Sequence, residues 1–417
     1  MTRPSTPDPA LLRAPRLLDG TGASPVADAA LLVEGGRIAY AGPAAGLPAG
    51  ADRLSAVDFS GATLLPGLVD VHVHLVASAG PDLAADVPRS EAERTLAAVA
   101  NARRQLDRGV TLVRDLGAPG AEAVLVGRAV EAGTVAGPRV LAAGPAVTMT
   151  GGHIAYIGRV ADGVDAMRAA VRANLALGAG CIKVVATGGV LTMGIDPREP
   201  AYTQPELEAL VSEAHRLGLT VAAHAIGEGG VAAALRAGVD SVEHGMFLDE
   251  AAIELFLRTG ARYTPTFSAP HGILGGPSVP GWIKDRARPA AEAQAASFRA
   301  AVEAGVPAVA GTDAGTPDNP HGGVAREVEF MVKAGLDPLL GVRAAAAEAA
   351  DLLGVGDRGV LRPGAAADVL VADGDVTADV TALQRPLAVY QDGRRVAGVG
   401  SAGTGSSQST GNSSGSV

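Results

Sequence analysis

Six side chains of this sequence belong to the types that hold metals or move protons, and they sit in or at the ends of short apolar runs. They are His72 and His74 in PGLVDVHVHL, Lys183 in CIKVVATGG, His224 in TVAAHAIG, His244 in SVEHGMF and Asp313 in PAVAGTDAG. Residues i and i+2 of a strand face the same way, roughly 6.5–7 Å apart. The imidazoles of His72 and His74 can therefore converge on one ion at Zn–N distances of about 2.0–2.1 Å, although two hydrogen-bonded core histidines would show the same spacing. Lys183 is flanked by Ile182 and Val184, and only Lys284 and Lys333 share its residue type. An ammonium in such a run is costly unless it is paired or neutralised. One reading pairs it with a carboxylate such as Asp115. The other takes it as an amine of lowered pKa that has combined with CO2 to give a carbamate, a bidentate anion able to bridge two metals. Taken singly, His224, His244 and Asp313 read as structural; six such groups on five apolar runs read as a site.

The elements that must position these groups alternate between residues 61 and 354. The strand candidates are LVDVHVHL, VTLVRDLG, RVLAAGP, CIKVVATG, TVAAHAIG, SVEHGMF, RYTPTFS and PAVAGTDAG. Helical patterns lie between them. In TQPELEALVSEAHRLG, Thr203 is the N-cap and Glu206 its capping-box partner. Leu207, Leu210, Val211, Ala214 and Leu217 follow at helical spacing. Eight strand–helix units predict an α/β fold, a (β/α)8 TIM barrel whose site gathers at the C-terminal ends of the strands. A doubly wound sheet for a dinucleotide would carry GxGxxG after its first strand, and LVDVHVHL is followed by none. Of the eight histidines, only His215 falls inside a helical pattern; His271 is expected in an exposed loop. Residues 1–60 and 355–400 share another texture, apolar runs broken by Gly, Pro and Asp. EGGR and QDGR there predict tight hairpins, and the two pieces are expected to pair as one small β-sandwich domain. Residues 401–417 are Ser/Gly-rich and are expected to be a disordered tail.

Composition narrows the function classes. With 417 residues, 47% hydrophobic and 19% charged, the chain is globular and long enough for a sizeable core. Its one cysteine, Cys181, excludes an intramolecular disulfide and a multi-cysteine zinc site. A net charge of −10 and 3% aromatic residues argue against nucleic acid as a partner. No apolar run approaches the roughly 18 residues of a membrane span, and the first residues carry no apolar export segment. A cytoplasmic protein with a small-molecule substrate and no membrane partner is expected, with a homo-oligomer left open.

In this order the motifs resemble the amidohydrolase superfamily, and within it the imidazolonepropionase-like and prolidase-like branch. The resemblance extends through the flanks, as in GVLRPGAAADVLVADGD. It implies a binuclear centre. His72, His74 and Asp313 would hold one divalent ion, His224 and His244 the second, with carboxylated Lys183 and a hydroxide between them. Zinc suits the imidazole-rich set, and manganese, iron or cobalt stay open. The implied reaction is hydrolysis of an amide, peptide or cyclic amide C–N bond by the bridging hydroxide, with Asp313 as the proton shuttle. TGGH at His153 and TPDNPHGG at His321 resemble the branch's substrate loops, and Tyr156 lies close to the first. Some prolidase-like members carry a substrate-facing tyrosine two residues after the fifth-strand histidine. Here Ile226 stands there, which puts dipeptidase activity in doubt and makes that wall apolar. Arg159 and Arg198 are the nearest candidate cations for a substrate carboxylate. The rival readings are a mononuclear deaminase or imidazolonepropionase-type ring hydrolase, which would use Glu228; a lactonase or phosphotriesterase; and a non-catalytic scaffold.

Overall fold

The computed structural model describes residues 9–86 and 89–398. The expected tail lies outside them. Among the described residues, nine parallel strands occupy the middle of the chain: β1 (Leu68–Val73), β2 (Val110–Asp115), β3 (Arg139–Ala142), β4 (Ala146–Thr148), β5 (Gly158–Val160), β6 (Cys181–Val185), β7 (Thr220–Ala225), β8 (Ser241–His244) and β9 (Arg262–Thr264). They form two sheets, ordered β1-β2-β3 and β5-β4-β6-β7-β8-β9. Helices follow most of them, in the alternating pattern that keeps a parallel sheet covered. Single backbone bonds span the gaps between the sheets. Gly180 N donates to Ala142 O at 2.9 Å, joining the end of β3 to the start of β6.

Seven of the eight strand candidates contain a regular strand, and the eighth does not. Residues 307–314 lie between β9 and β1, held by single bridges from Ala308 to Tyr263 and from Ala314 to Val73. Val71 N donates to Ala310 O at 3.1 Å and Asp313 N to His72 O at 2.8 Å. Two residues break the ladder. Gly311 lets the backbone close on β1, where a Cβ would stand 2.9 Å from that of His72. Asp313 adopts a left-handed φ of 58°, which regular pairing does not accommodate.

The helix Gln204–Arg216 starts where the sequence places it. Glu206 accepts hydrogen bonds from Thr203 N at 2.9 Å and Thr203 Oγ1 at 2.6 Å, and Leu207, Leu210, Val211 and Ala214 are buried. Strands from residues 10–66 and 369–398 share one eight-stranded sheet. Thr63–Pro66 pairs antiparallel with Val369–Ala372, so the N- and C-terminal segments meet. Both expected hairpins are present. Gly35 and Gly36 have φ of 57° and 81°, Asp392 and Gly393 46° and 76°, the positive values that a two-residue type I′ turn requires. No helix among the described residues is long and apolar enough to cross a membrane.

Candidate metal centre

Strand ends and the 307–314 segment open into a cleft that is lined by all six candidate ligands: His72, His74, Lys183, His224, His244 and Asp313. None is more than 8% exposed. Ring centroids of His72 lie 5.4 Å from His74 and 5.3 Å from His244, and His224 is 4.6 Å from His244. Asp313 Oδ1 sits 3.3 Å from His72 Nε2 and 3.2 Å from His74 Nε2. Lys183 Nζ is 3.5 Å from His72 Nε2. One donor atom each from His72, His244 and Asp313 falls within a 4.8 Å span, close enough to share a cation.

Whether these histidines suit a metal depends on which nitrogen carries the proton, and the surroundings fix that for four of them. His72 Nδ1 donates to Glu243 Oε2 at 2.9 Å. His74 Nδ1 donates to Gly117 O at 3.2 Å. His224 Nε2 donates to Gly188 O at 2.8 Å. His244 Nδ1 meets Thr266 Oγ1 at 2.7 Å, and that hydroxyl already donates to Pro265 O at 2.6 Å, so its oxygen accepts from His244. In each ring the remaining nitrogen therefore keeps its lone pair. Such hydrogen bonds to the far nitrogen are the usual support of a metal-ligating histidine. The donor set fits a divalent cation.

The charge states agree for three of the four rings; burial pushes His74 down, but the hydrogen bond and charge of Asp313 outweigh it and hold that imidazole above its ordinary value. Burial lowers His72 to about 4 and His224 to about 3, and in both Lys183 adds to the effect. Burial and then His224 hold His244 well below the usual imidazole range. Burial pushes Asp313 up, but His72 and His74 outweigh it and hold the carboxyl below its ordinary value. Burial lowers Lys183 to about 8, against the pull of Glu243 and Asp313. No carboxylate among the described residues pairs with it. Asp115 is engaged elsewhere, accepting from Leu75 N at 2.7 Å and Gly117 N at 3.2 Å.

Backbone strain gathers at the same place. His244, Thr266 and Asp313 all have left-handed φ, 76°, 56° and 58°, conformations that persist in non-glycine residues only where the surroundings enforce them. Asn319 Nδ2 donates to Thr312 O at 2.8 Å and Asp313 O at 2.9 Å, clasping the turn that presents the carboxylate. The Thr266 turn is clasped by Glu327, which accepts from Phe267 N at 2.7 Å, Ser268 N at 2.8 Å and Ser268 Oγ at 2.6 Å.

Of the residues expected around the substrate, His153 and Ile226 line the cleft, while Tyr156 and His321 are not among its lining residues. His153 meets Thr192 Oγ1 through Nδ1 at 2.9 Å, and its ring lies 4.7 Å from that of His224. Tyr156 packs beside Ala146, Ile154, Ile157 and Val185. His321 is buried and donates from Nε2 to Ala77 O at 3.1 Å, tying the loop after Asp313 to the loop after His74. Arg198 forms a two-pronged pair with Glu228, at 2.8 and 3.0 Å. Arg159 Nε donates to Asn174 Oδ1 at 3.2 Å. Neither arginine, nor Glu228, lines the cleft. His271 belongs to the helix Ser268–Gly275, not to a loop, and stacks on Phe330 with ring centroids 4.1 Å apart.

Four supporting residues were not singled out from the sequence. Glu243 and Arg114 form a fully buried pair at 2.8 Å, and Arg114 Nε also donates to Val71 O at 2.7 Å. Arg114 carried the same signal as Lys183, a cation inside an apolar strand. Glu243 directly precedes His244 in the chain. Thr266 and Glu327 have no comparable mark.

This geometry agrees with what the chain is similar to. The family model of the amidohydrolase family matches residues 63–396. The chain belongs to that family and is an enzyme, a hydrolase acting on carbon–nitrogen bonds. It is 32% identical to the ochratoxinase of Aspergillus niger over 411 residues, covering 89% of this chain and 83% of that protein. A solved Xaa-Pro dipeptidase with methionine bound in its active site has a TM-score of 0.87 at 31% identity, covering 93% of this chain and all of the other. The solved A. niger ochratoxinase gives 0.84 at 29% identity, over 94% of this chain and 96% of its own.

Proposed function

We propose that the chain is a metal-dependent amidohydrolase that cleaves an amide, peptide or cyclic amide C–N bond of a small molecule. The observation that carries this reading is the set of four histidines whose outer nitrogens are all bound to acceptors, leaving four lone pairs in one buried cleft beside Asp313 and Lys183. His72, His74 and Asp313 would hold one divalent ion and His224 and His244 a second, with carboxylated Lys183 between them. Zinc suits this donor set. Bound cations would polarise a carbonyl and acidify a water molecule. Asp313, kept ionised, takes a proton as water adds to the carbonyl carbon. It returns that proton to the nitrogen as the C–N bond breaks, giving a carboxylic acid and an amine. His153 stands where a neutral imidazole can hydrogen-bond the substrate. The parallel strands are read as the staves of one (β/α)8 barrel over residues 61–354. Residues 1–60 and 355–400 are read as a composite β-sandwich domain.

A mononuclear centre is the second reading, favoured by the compactness of the His72, His244 and Asp313 trio. Against it stands Glu228, the proton donor such a centre would draw on, which is held by Arg198. The test is a hydrolysis panel of N-acyl amino acids, Xaa-Pro and other dipeptides, cyclic imides, lactones and phosphotriesters, run with zinc, manganese and cobalt. At least one amide class should turn over. Turnover of lactones or phosphotriesters alone would reject the C–N assignment.

A further inference from the structure

The histidine floor is only part of the cleft. Ile154, Val190, Leu191, Ile226, Met246 and Ile273 line much of the rest, with Thr316 and His153 as polar members; the six lie on loops that follow β4, β6, β7 and β8 and on the helix Ser268–Gly275. These side chains are backed by two packed clusters. Ile226, Met246 and Ala290 pack with Val190 and Phe247. Ile273, Val279, Ile283 and Ala287 pack with Val190, Leu191 and Trp282. Val190 belongs to both, so the apolar surface is continuous. Its loop is anchored from the long helix Gly281–Glu303. Arg286 donates to Gly189 O at 3.0 Å, to Val190 O at 3.3 Å and to Ile195 O. A surface packed and tied in this way is formed before a ligand arrives.

The same lining is poor in positive charge. Apart from the histidines, Lys183 is its one basic side chain among the described residues, and it sits on the floor beside His72. The arginines near the mouth are engaged: Arg198 with Glu228, Arg159 with Asn174, Arg286 with three carbonyls. A carboxylate laid on this wall would lose its water and meet no guanidinium among the residues that line it. An uncharged hydrocarbon or aryl group would gain from the same burial.

We infer that the substrate is a neutral N-substituted amide, with a hydrocarbon or aryl arm on the Val190–Ile226–Met246 wall and no free carboxylate on that arm. This rests on the C–N hydrolase reading above and separates the chain from enzymes of free dipeptides and N-acyl amino acids. The test uses two matched pairs and the metal-loaded full-length protein. N-phenethylbenzamide and N-benzoylphenylalanine differ by one carboxylate, as do N-phenethylbenzenesulfonamide and N-benzenesulfonylphenylalanine, which are not hydrolysed. The neutral amide should show a kcat/KM about tenfold or more above its acidic partner, and calorimetry should give the neutral sulfonamide the same advantage in affinity. Ile226→Arg, which places a cation on the wall, should shrink or reverse both preferences. Equal or stronger handling of the acids by the unaltered enzyme overturns the inference, as does an unchanged preference in a folded Ile226→Arg protein. The sulfonamide pair measures binding alone. A failure of amide cleavage would sink the hydrolase reading, while the relative affinities of the two sulfonamides would still support or overturn the preference for a neutral arm.

Discussion

On the floor of the cleft, four inward-facing imidazoles are each fixed by a hydrogen bond donated from the far side of the ring, to Glu243, Gly117, Gly188 or Thr266. The wall has no such devices on its side chains; Ile226, Met246 and Val190 hold their places by packing. A hydrogen bond fixes an orientation, and packing fixes a volume. Changes to the floor should therefore appear in metal affinity and in the chemical step, where direction matters. Changes to the wall should appear in which substrates bind and how tightly.

The largest effect is expected at Asp313. Asp313→Asn keeps the shape, removes the base and should lower kcat by at least about 10²–10⁴ while the protein stays folded; a near-normal rate would remove Asp313 from proton transfer. One step out from the floor, Thr266→Val deletes the acceptor that sets the His244 tautomer. Metal affinity should fall by about 10–100-fold with the wall's substrate preference unchanged. An equal change in both would mean that floor and wall are not separable. The smallest effect is expected at the wall itself. Ile226→Ala should raise KM for an apolar amide by roughly tenfold and leave kcat nearly constant. A fall in kcat at constant KM would break the comparison, because it would place Ile226 with the chemistry.

The floor was legible in the sequence because its residue types are rare and costly inside apolar strands. Lys183 and Arg114 show how far that reasoning reaches. Both interrupt an apolar strand, and both are buried, at 1% and 0% exposure. Arg114 has a carboxylate partner in Glu243, whereas Lys183 has a histidine beside it and no carboxylate paired with it. The sequence cannot separate the two fates, since the partner of Arg114 lies 129 residues away. Tyr156 and His321 were expected near the substrate from the loops that carry TGGH and TPDNPHGG; neither lines the cleft, His321 reaching Ala77 and Tyr156 packing in a local apolar cluster. The wall was largely illegible. Val190, Met246 and Ile273 are ordinary apolar residues in loops and a helix, and only the tertiary fold brings them to one surface; Ile226 alone was marked, by its place two residues after His224. The hairpins at Gly35–Gly36 and Asp392–Gly393 were readable because their turn type demands those residues. The irregular eighth strand was not, since its backbone obeys the demands of Asp313.

A metal centre bridged through Lys183 is the central claim, and metal content measured beside activity addresses it directly. Purified protein should carry about two divalent ions per chain. Lys183→Ala should lose metal and nearly all hydrolysis, with partial recovery on adding a small carboxylic acid that takes the place of the carbamate. Unchanged metal content together with full activity in Lys183→Ala, or activity in a protein stripped of metal, would contradict it.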